Sequence, residues 1–183
     1  MTDIVDTPAD AYIEAAIAAL WPAGDSLTGT QVHMLVDGAA DPRLAARIRL
    51  GKLDHDCLFA GPLTARLQAA APWLVHLSAA SAQTRELIGR AARHQGILVS
   101  APAHVSTRQL RLHFKKLLWV RDEDGRELYF RFYDPRVLAI YLPTCTPEEK
   151  RIVFGPVQAL HWVDDNGLHT ATARERVEPV SIS

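Results

Sequence analysis

Cysteine is scarce in this 183-residue chain: Cys57 and Cys145 are the only two, they lie far apart, and neither sits in a metal-type spacing. That argues against a disulfide-stapled secreted scaffold and makes two free thiols in a reducing cytoplasm the expectation. An excess of either charge is missing too. Lys and Arg number 20 against 21 Asp and Glu, for a formal net charge of −1 and a pI near 6.7. Nucleic-acid binders usually carry a basic excess or stripe, so no nucleic-acid partner is expected. No run approaches the roughly 20 consecutive apolar residues that span a bilayer, so no membrane partner is expected either. The first residues, Met1-Thr2-Asp3-Ile4-Val5-Asp6, are acidic and lack the basic opening of a secretory signal, which again points to the cytoplasm.

Catalytic signatures are missing as well. The sequence has no Gly-x-Gly-x-x-Gly, Walker-type loop, Gly-x-Ser-x-Gly elbow or His-Glu-x-x-His pair. Its eight histidines are scattered. His55-Asp56 resembles a fragment of a metal-dependent phosphohydrolase site, but the further ligands such a site needs are not found around it. No metal and no cofactor is expected.

What is present is a hydrophobic content of 48%, enough for one sizeable core. A single domain is read over 11–175, with tails at 1–10 and 176–183. The chain is organised around Lys116–Leu142. Leu117-Leu118-Trp119-Val120 and Leu128-Tyr129-Phe130-Arg131-Phe132-Tyr133 are apolar runs separated by the turn signal Asp122-Glu123-Asp124-Gly125, so a β-hairpin is predicted. At period two, Leu128, Phe130 and Phe132 share one face of the second strand, while Glu127, Tyr129, Arg131 and Tyr133 share the other. Asp134-Pro135 then ends the strand and opens a helix, the carboxylate as N-cap and the proline at the first helical position, until Pro143 stops it.

The rest of the chain alternates. Ile13, Ile17, Leu20 and Trp21 form one helical stripe closed by Pro22. Val32–Val36 reads as a strand, followed by Asp41-Pro42 opening a helix that runs to Gly51. Leu58–Ala60, Trp73–Val75 and Ile97–Val99 read as strands, and 83–95 as a helix. Ser106 with Gln109 and Thr146 with Glu149 form capping-box patterns. Asp165-Asn166-Gly167 marks a C-terminal hairpin between Ala159–Val163 and Leu168–Ala173. The predicted fold is α/β in the mixed α+β sense: a mixed β-sheet flanked by helices, with a central and a C-terminal hairpin.

Among candidate residues, Arg131 reads either as a carboxylate-pairing guanidinium, toward a partner or toward Asp134, or as a strand arginine packed between Tyr129 and Tyr133. Arg136 lies in a first helical turn, where the dipole disfavours a cation, a mild pointer to an acidic partner. Trp21, at a helix edge, is the tryptophan expected at an interface. Tyr129, Arg131, Tyr133, Arg136 and Trp21 are therefore the candidate partner-binding set. Asp37, Asp41, Phe130, Phe132, Asp134 and Pro135 form the structural motif. A small enzyme using strand-end Asp37, Asp41 and Arg131 on a phosphorylated or acyl substrate is the alternative, although Leu35 and Ala39 stand where a phosphatase-type second aspartate would be.

The block RDEDGRELYFRFYDPRVL, residues 121–138, resembles the signature of the type VI secretion effector-adaptor family, first catalogued as a domain of unknown function. HMLVDGAADP at 33–42 and PWLVHL at 72–77 match in the same order, and the resemblance extends from about Val32 to Val157. It implies a non-catalytic cytoplasmic chaperone that binds a toxic effector protein and helps load it onto a VgrG-type spike. A permanent structural subunit of the injection apparatus is a third reading. After Val157 nothing specific matches.

Overall fold

The computed structural model describes residues 8–22, 29–164, 167–173 and 178–179. Helix α1 (Pro8–Leu20) leads to strand β1 (Thr30–Asp37) and a single 3₁₀ turn, Gly38–Ala40. Helix α2 (Leu44–Leu50), strand β2 (His55–Cys57), helix α3 (Ala65–Ala70) and strand β3 (Pro72–Leu77) follow. Helix α4 (Ala82–Ala91), strand β4 (Gly96–Pro102) and helix α5 (Thr107–Leu117) lead into the short strands β5 (Trp119–Arg121) and β6 (Glu127–Tyr129). Helices α6 (Pro135–Thr144) and α7 (Pro147–Phe154) precede strands β7 (Ala159–Asp164), β8 (Gly167–Thr172) and β9 (Glu178–Pro179).

The α+β class is the one expected. Strands β2-β3-β1-β4-β7-β8-β9 form one sheet in that order, and β5-β6 form a separate ribbon. Within the main sheet the expected mixed pairing is replaced by antiparallel pairing throughout the described residues. Helix α4 does connect two strands that run in the same direction, β3 and β4. However, β1 lies between them and pairs antiparallel with both, so the parallel crossover that alternation suggests never forms a parallel ladder.

Period-two alternation divides the sheet's side chains between two cores. On one face Met34, Val36, Trp73, Val75 and Leu98 pack with Leu20, Ile48 and Ile88 of α1, α2 and α4. On the other, Leu35, Leu74, Val99 and Leu160 pack with Phe114, Leu138 and Phe154 of α5, α6 and α7. The sheet is thus a middle layer with helices on both sides. Helix starts follow local chemistry. Ser106 and Thr146 each close a full capping box, and Asp134 caps α6 with Pro135 in its first turn.

Several boundaries differ from expectation. The strand predicted to reach Tyr133 stops at Tyr129, because Asp134 donates its backbone N–H to the Arg131 carbonyl at 2.9 Å and the chain turns. Pro143 lies inside the last turn of α6, where few ladder bonds remain to be lost. Asp41-Pro42 opens a turn and α2 begins only at Leu44, although Asp41 Oδ1 still accepts from the Arg43 N–H at 2.9 Å. The strand placed at Leu58–Ala60 is His55–Cys57. Helix α3, capped by Thr64, had no apolar stripe to betray it. At the termini, α1 begins at Pro8, and Glu178–Pro179 pair with β8. The remainder of both expected tails lies outside the described residues.

Candidate functional site

The signature segment folds into a corner whose charges are already matched. Arg131, in the turn after β6, pairs with Asp37 at the end of β1, 94 residues away in sequence. Asp37 Oδ1 also accepts from the Ala39 N–H at 3.0 Å, so both carboxylate oxygens are engaged. The Asp37 side chain is only 6% exposed, whereas that of Arg131 is 42% exposed. The guanidinium also lies 3.8 Å from Asp134 and 5.9 Å from the centre of the Tyr133 ring. Asp134 is gripped by Arg136 through two bonds, Nε to Oδ1 at 2.9 Å and Nη2 to Oδ2 at 2.7 Å, besides accepting the Arg136 backbone N–H at 3.1 Å. Burial alone would raise the Asp134 pKa. The Arg136 bonds and the nearby Arg131 outweigh burial and hold it below the usual carboxylate value.

Beneath these charges the corner is apolar. Phe132 stacks on Phe114 with ring centres 5.7 Å apart, and Tyr133 lies edge-on to Phe132 at 5.8 Å. Tyr133, expected on the partner-facing side, is 1% exposed and presents no surface. The turn buries Phe132 and Tyr133 consecutively, whereas a strand with one face in solvent, like β6, would have exposed one of them. Next to them Gly38 donates to the Ala71 carbonyl at 3.1 Å, and a Cβ there would lie 2.3 Å from that same oxygen. Only glycine lets the end of β1 come this close to the end of α3.

The ribbon is different in kind. Trp119 pairs with Tyr129, Val120 with Leu128 and Arg121 with Glu127. Its turn is held by Asp122, which accepts from the Asp124 and Arg126 N–H groups at 3.0 and 2.8 Å, while Gly125 takes φ +77°. All six paired residues are exposed, including Trp119 at 56% and Leu128 at 48%. Trp119 stands edge-on to Tyr129 with centroids 5.4 Å apart, and the Tyr129 hydroxyl reaches the Tyr133 hydroxyl at 3.0 Å, tying ribbon to corner. Although the Tyr129 ring is exposed, desolvation of its hydroxyl beside Tyr133 and this bond raise its pKa.

Apolar depressions flank Trp119. One, of about 500 Å³, lies between α3, α5 and the root of the ribbon, with Leu63, Leu67, Leu118, Trp119 and Tyr129 among its walls. The other, of about 220 Å³, is lined by Trp119, Val120, Phe130, Tyr141 and Ile152. Sequence reasoning found Tyr129 and Phe130 but missed Trp119, Leu67 and Ile152. An apolar residue in a short strand or helix does not announce that nothing will cover it.

The remaining candidates separate. Asp37, Arg131 and Arg136 share a shallow polar depression of about 330 Å³ with Arg93, His94 and Gln95. Asp41 turns away to Arg90, at 3.0 Å, so the strand-end trio of the enzyme alternative is not assembled. Trp21 is half-buried and packs with the core on the opposite face of the sheet from the signature. Among the described residues, no cluster of three or more His, Cys, Asp or Glu could hold a metal ion, and no helix is long and apolar enough to cross a membrane.

Residues 32–151 match the family described as Domain of unknown function (DUF4123), and the chain belongs to that family. Comparison with curated proteins gave no match, and comparison with solved structures gave none.

Proposed function

We propose that this member of the DUF4123 family is a non-catalytic adaptor that holds a toxic effector protein and assists its loading onto a VgrG-type spike of a type VI secretion system, working in the cytoplasm. The observation that carries the reading is the exposed ribbon with its flanking apolar depressions. A contiguous apolar surface beside a rigid frame is what protein–protein contact needs and what a solitary soluble domain avoids. The signature's own resemblance to effector adaptors supplies the identity of the partners. The engagement of both Asp37 oxygens within the corner, and the diversion of Asp41 to Arg90, weigh against the enzyme alternative.

The test is co-purification. The tagged chain, produced in its native cell at ordinary abundance, should bring down one effector and a VgrG-type spike protein, and should raise the yield of soluble effector when the two are co-expressed. Recovery of neither partner at micromolar concentration would end the adaptor reading. Turnover of a phosphorylated or acyl substrate that disappears in Asp37→Asn, with folding intact, would replace it with the enzyme.

A further inference from the structure

We propose that the groove between α3, α5 and the root of the ribbon receives an acidic amphipathic helix of the effector, its apolar side chains against Leu67 and Trp119 and its carboxylates against the cations of α5. This deepens the adaptor reading and rests on it. The groove's walls are apolar except for Lys115, and the two helices that flank it carry cations without acids. Helix α5 carries Arg108, Arg111, Lys115 and Lys116 and no acidic residue, and Lys115 itself lines the groove. Arg66, beside Leu67 on α3, adds another cation, and α3 too has no acidic residue. Arg111 is bound to the Cys57 and Phe59 carbonyls and lies 4.0 Å from Asp56. Arg66, Arg108, Lys115 and Lys116 make no ion pair with any described residue, in a chain whose formal net charge is −1. A basic concentration around an apolar trough selects a partner with the opposite charge on the flanks of an apolar stripe and repels one with lysine flanks.

The geometry suits a helix. Trp119 lines both the depression of about 500 Å³, where Lys115 is the charged wall residue, and that of about 220 Å³, where Lys116 and Glu149 offset each other. Apolar anchors spaced one helical turn apart can settle in such depressions, which is the helix-in-groove mode. An exposed tryptophan at the centre of an apolar patch is the residue type on which binding energy concentrates.

The probe is a synthetic helical peptide with leucines at i, i+3, i+4 and i+7 and glutamates on its flanks, titrated against the full chain beside a counterpart with lysines in place of the glutamates. Trp119 fluorescence is the readout, because Trp73 and Trp162 are buried and Trp21 packs with the core on the opposite face of the sheet, and a Trp119→Phe variant identifies its signal. The glutamate peptide should shift Trp119 emission to the blue and bind at least about tenfold more tightly than the lysine peptide. Lys115→Glu should cost about tenfold in affinity. Equal affinity for the two peptides, or no binding of either, overturns the proposal. So does a dimer of the chain in sedimentation that Leu67→Asp dissolves, since the occupant would then be a second copy. In the effector complex, the melting-controlled double variant Leu67→Asp/Lys115→Glu should lose the effector. If that variant keeps it, the groove assignment fails while the adaptor reading stands. If the wild-type chain captures no effector, the adaptor reading fails, and the peptide titration still reports on the groove.

Discussion

The corner at 131–136 and the ribbon at 119–129 are neighbours in sequence and opposites in chemistry. The corner combines buried carboxylates, guanidinium partners and aromatic rings packed to 1% exposure at Phe132 and Tyr133. The ribbon leaves Trp119, Val120, Leu128 and Tyr129 exposed. A polar group buried with its partner has finished its bonding, whereas an apolar group left in water has not. The most recognisable part of the sequence is therefore a clamp that fixes β1 against α6, and the surface suited to a partner lies beside it. The candidate contact residues Arg131 and Arg136 already have carboxylates within the chain.

The largest expected effect falls on the sheet that carries both regions. His33 lies buried against His76 and Thr107, and His161 is buried between Ser100 and Thr170, both bonds at 2.9 Å. Burial lowers each pKa to about 4, aided for His33 by the charge of His76. Both are neutral in the folded chain across the range where the unfolded chain takes up protons. Stability should hold above the ordinary histidine pKa near 6.5 and fall as pH drops from there to about 4, by on the order of 3 kcal/mol per histidine. Urea unfolding across that window checks it. His161→Gln should flatten the profile, and an unchanged slope would remove His161 from the account.

Next comes the corner's apolar base. Phe132→Ala should cost about 3–5 kcal/mol in denaturant unfolding, since the ring stacked on Phe114 leaves a cavity. A loss under about 1 kcal/mol would mean that the corner is not part of the fold's frame. The charged part should matter less. Arg131→Ala strands the nearly buried Asp37, but Arg131 is itself partly solvated, so about 1–3 kcal/mol is expected. A double-mutant cycle with Asp37→Asn should recover part of that loss, because the residue left behind no longer carries an unpaired charge.

The smallest stability effect is expected in the ribbon. Trp119→Ala or Leu128→Ser should change unfolding free energy by no more than about 1 kcal/mol, because little packing is lost from exposed sites. If either unfolds the chain, the ribbon belongs to the core and the contrast with the corner collapses.

The sequence made local devices legible and long-range ones illegible. The capping boxes at Ser106 and Thr146, the Asp134-Pro135 helix start and the Asp122–Gly125 turn are set by atoms a few residues apart, and each formed as read. The Arg131–Asp37 pair joins residues 94 positions apart, and no spacing rule reaches that far. The antiparallel sheet depended on β1 slipping between β3 and β4, which the order of elements along the chain does not reveal. Alternation failed at Phe132 and Tyr133 because a turn buried both neighbours. For the site, the aromatic face of its strand points to Tyr129, yet nothing in the apolar run Leu117–Val120 marks Trp119 as exposed. Exposure is a property of the finished packing.

The most direct test of the clamp-and-ribbon account is one co-purification with the effector, comparing Trp119→Ala and Arg131→Ala below both melting temperatures. Trp119→Ala should melt like the wild type and lose the effector, while Arg131→Ala should melt lower and keep it. Loss of the effector in Arg131→Ala, with full capture by Trp119→Ala, would put the contact surface at the corner and contradict that account.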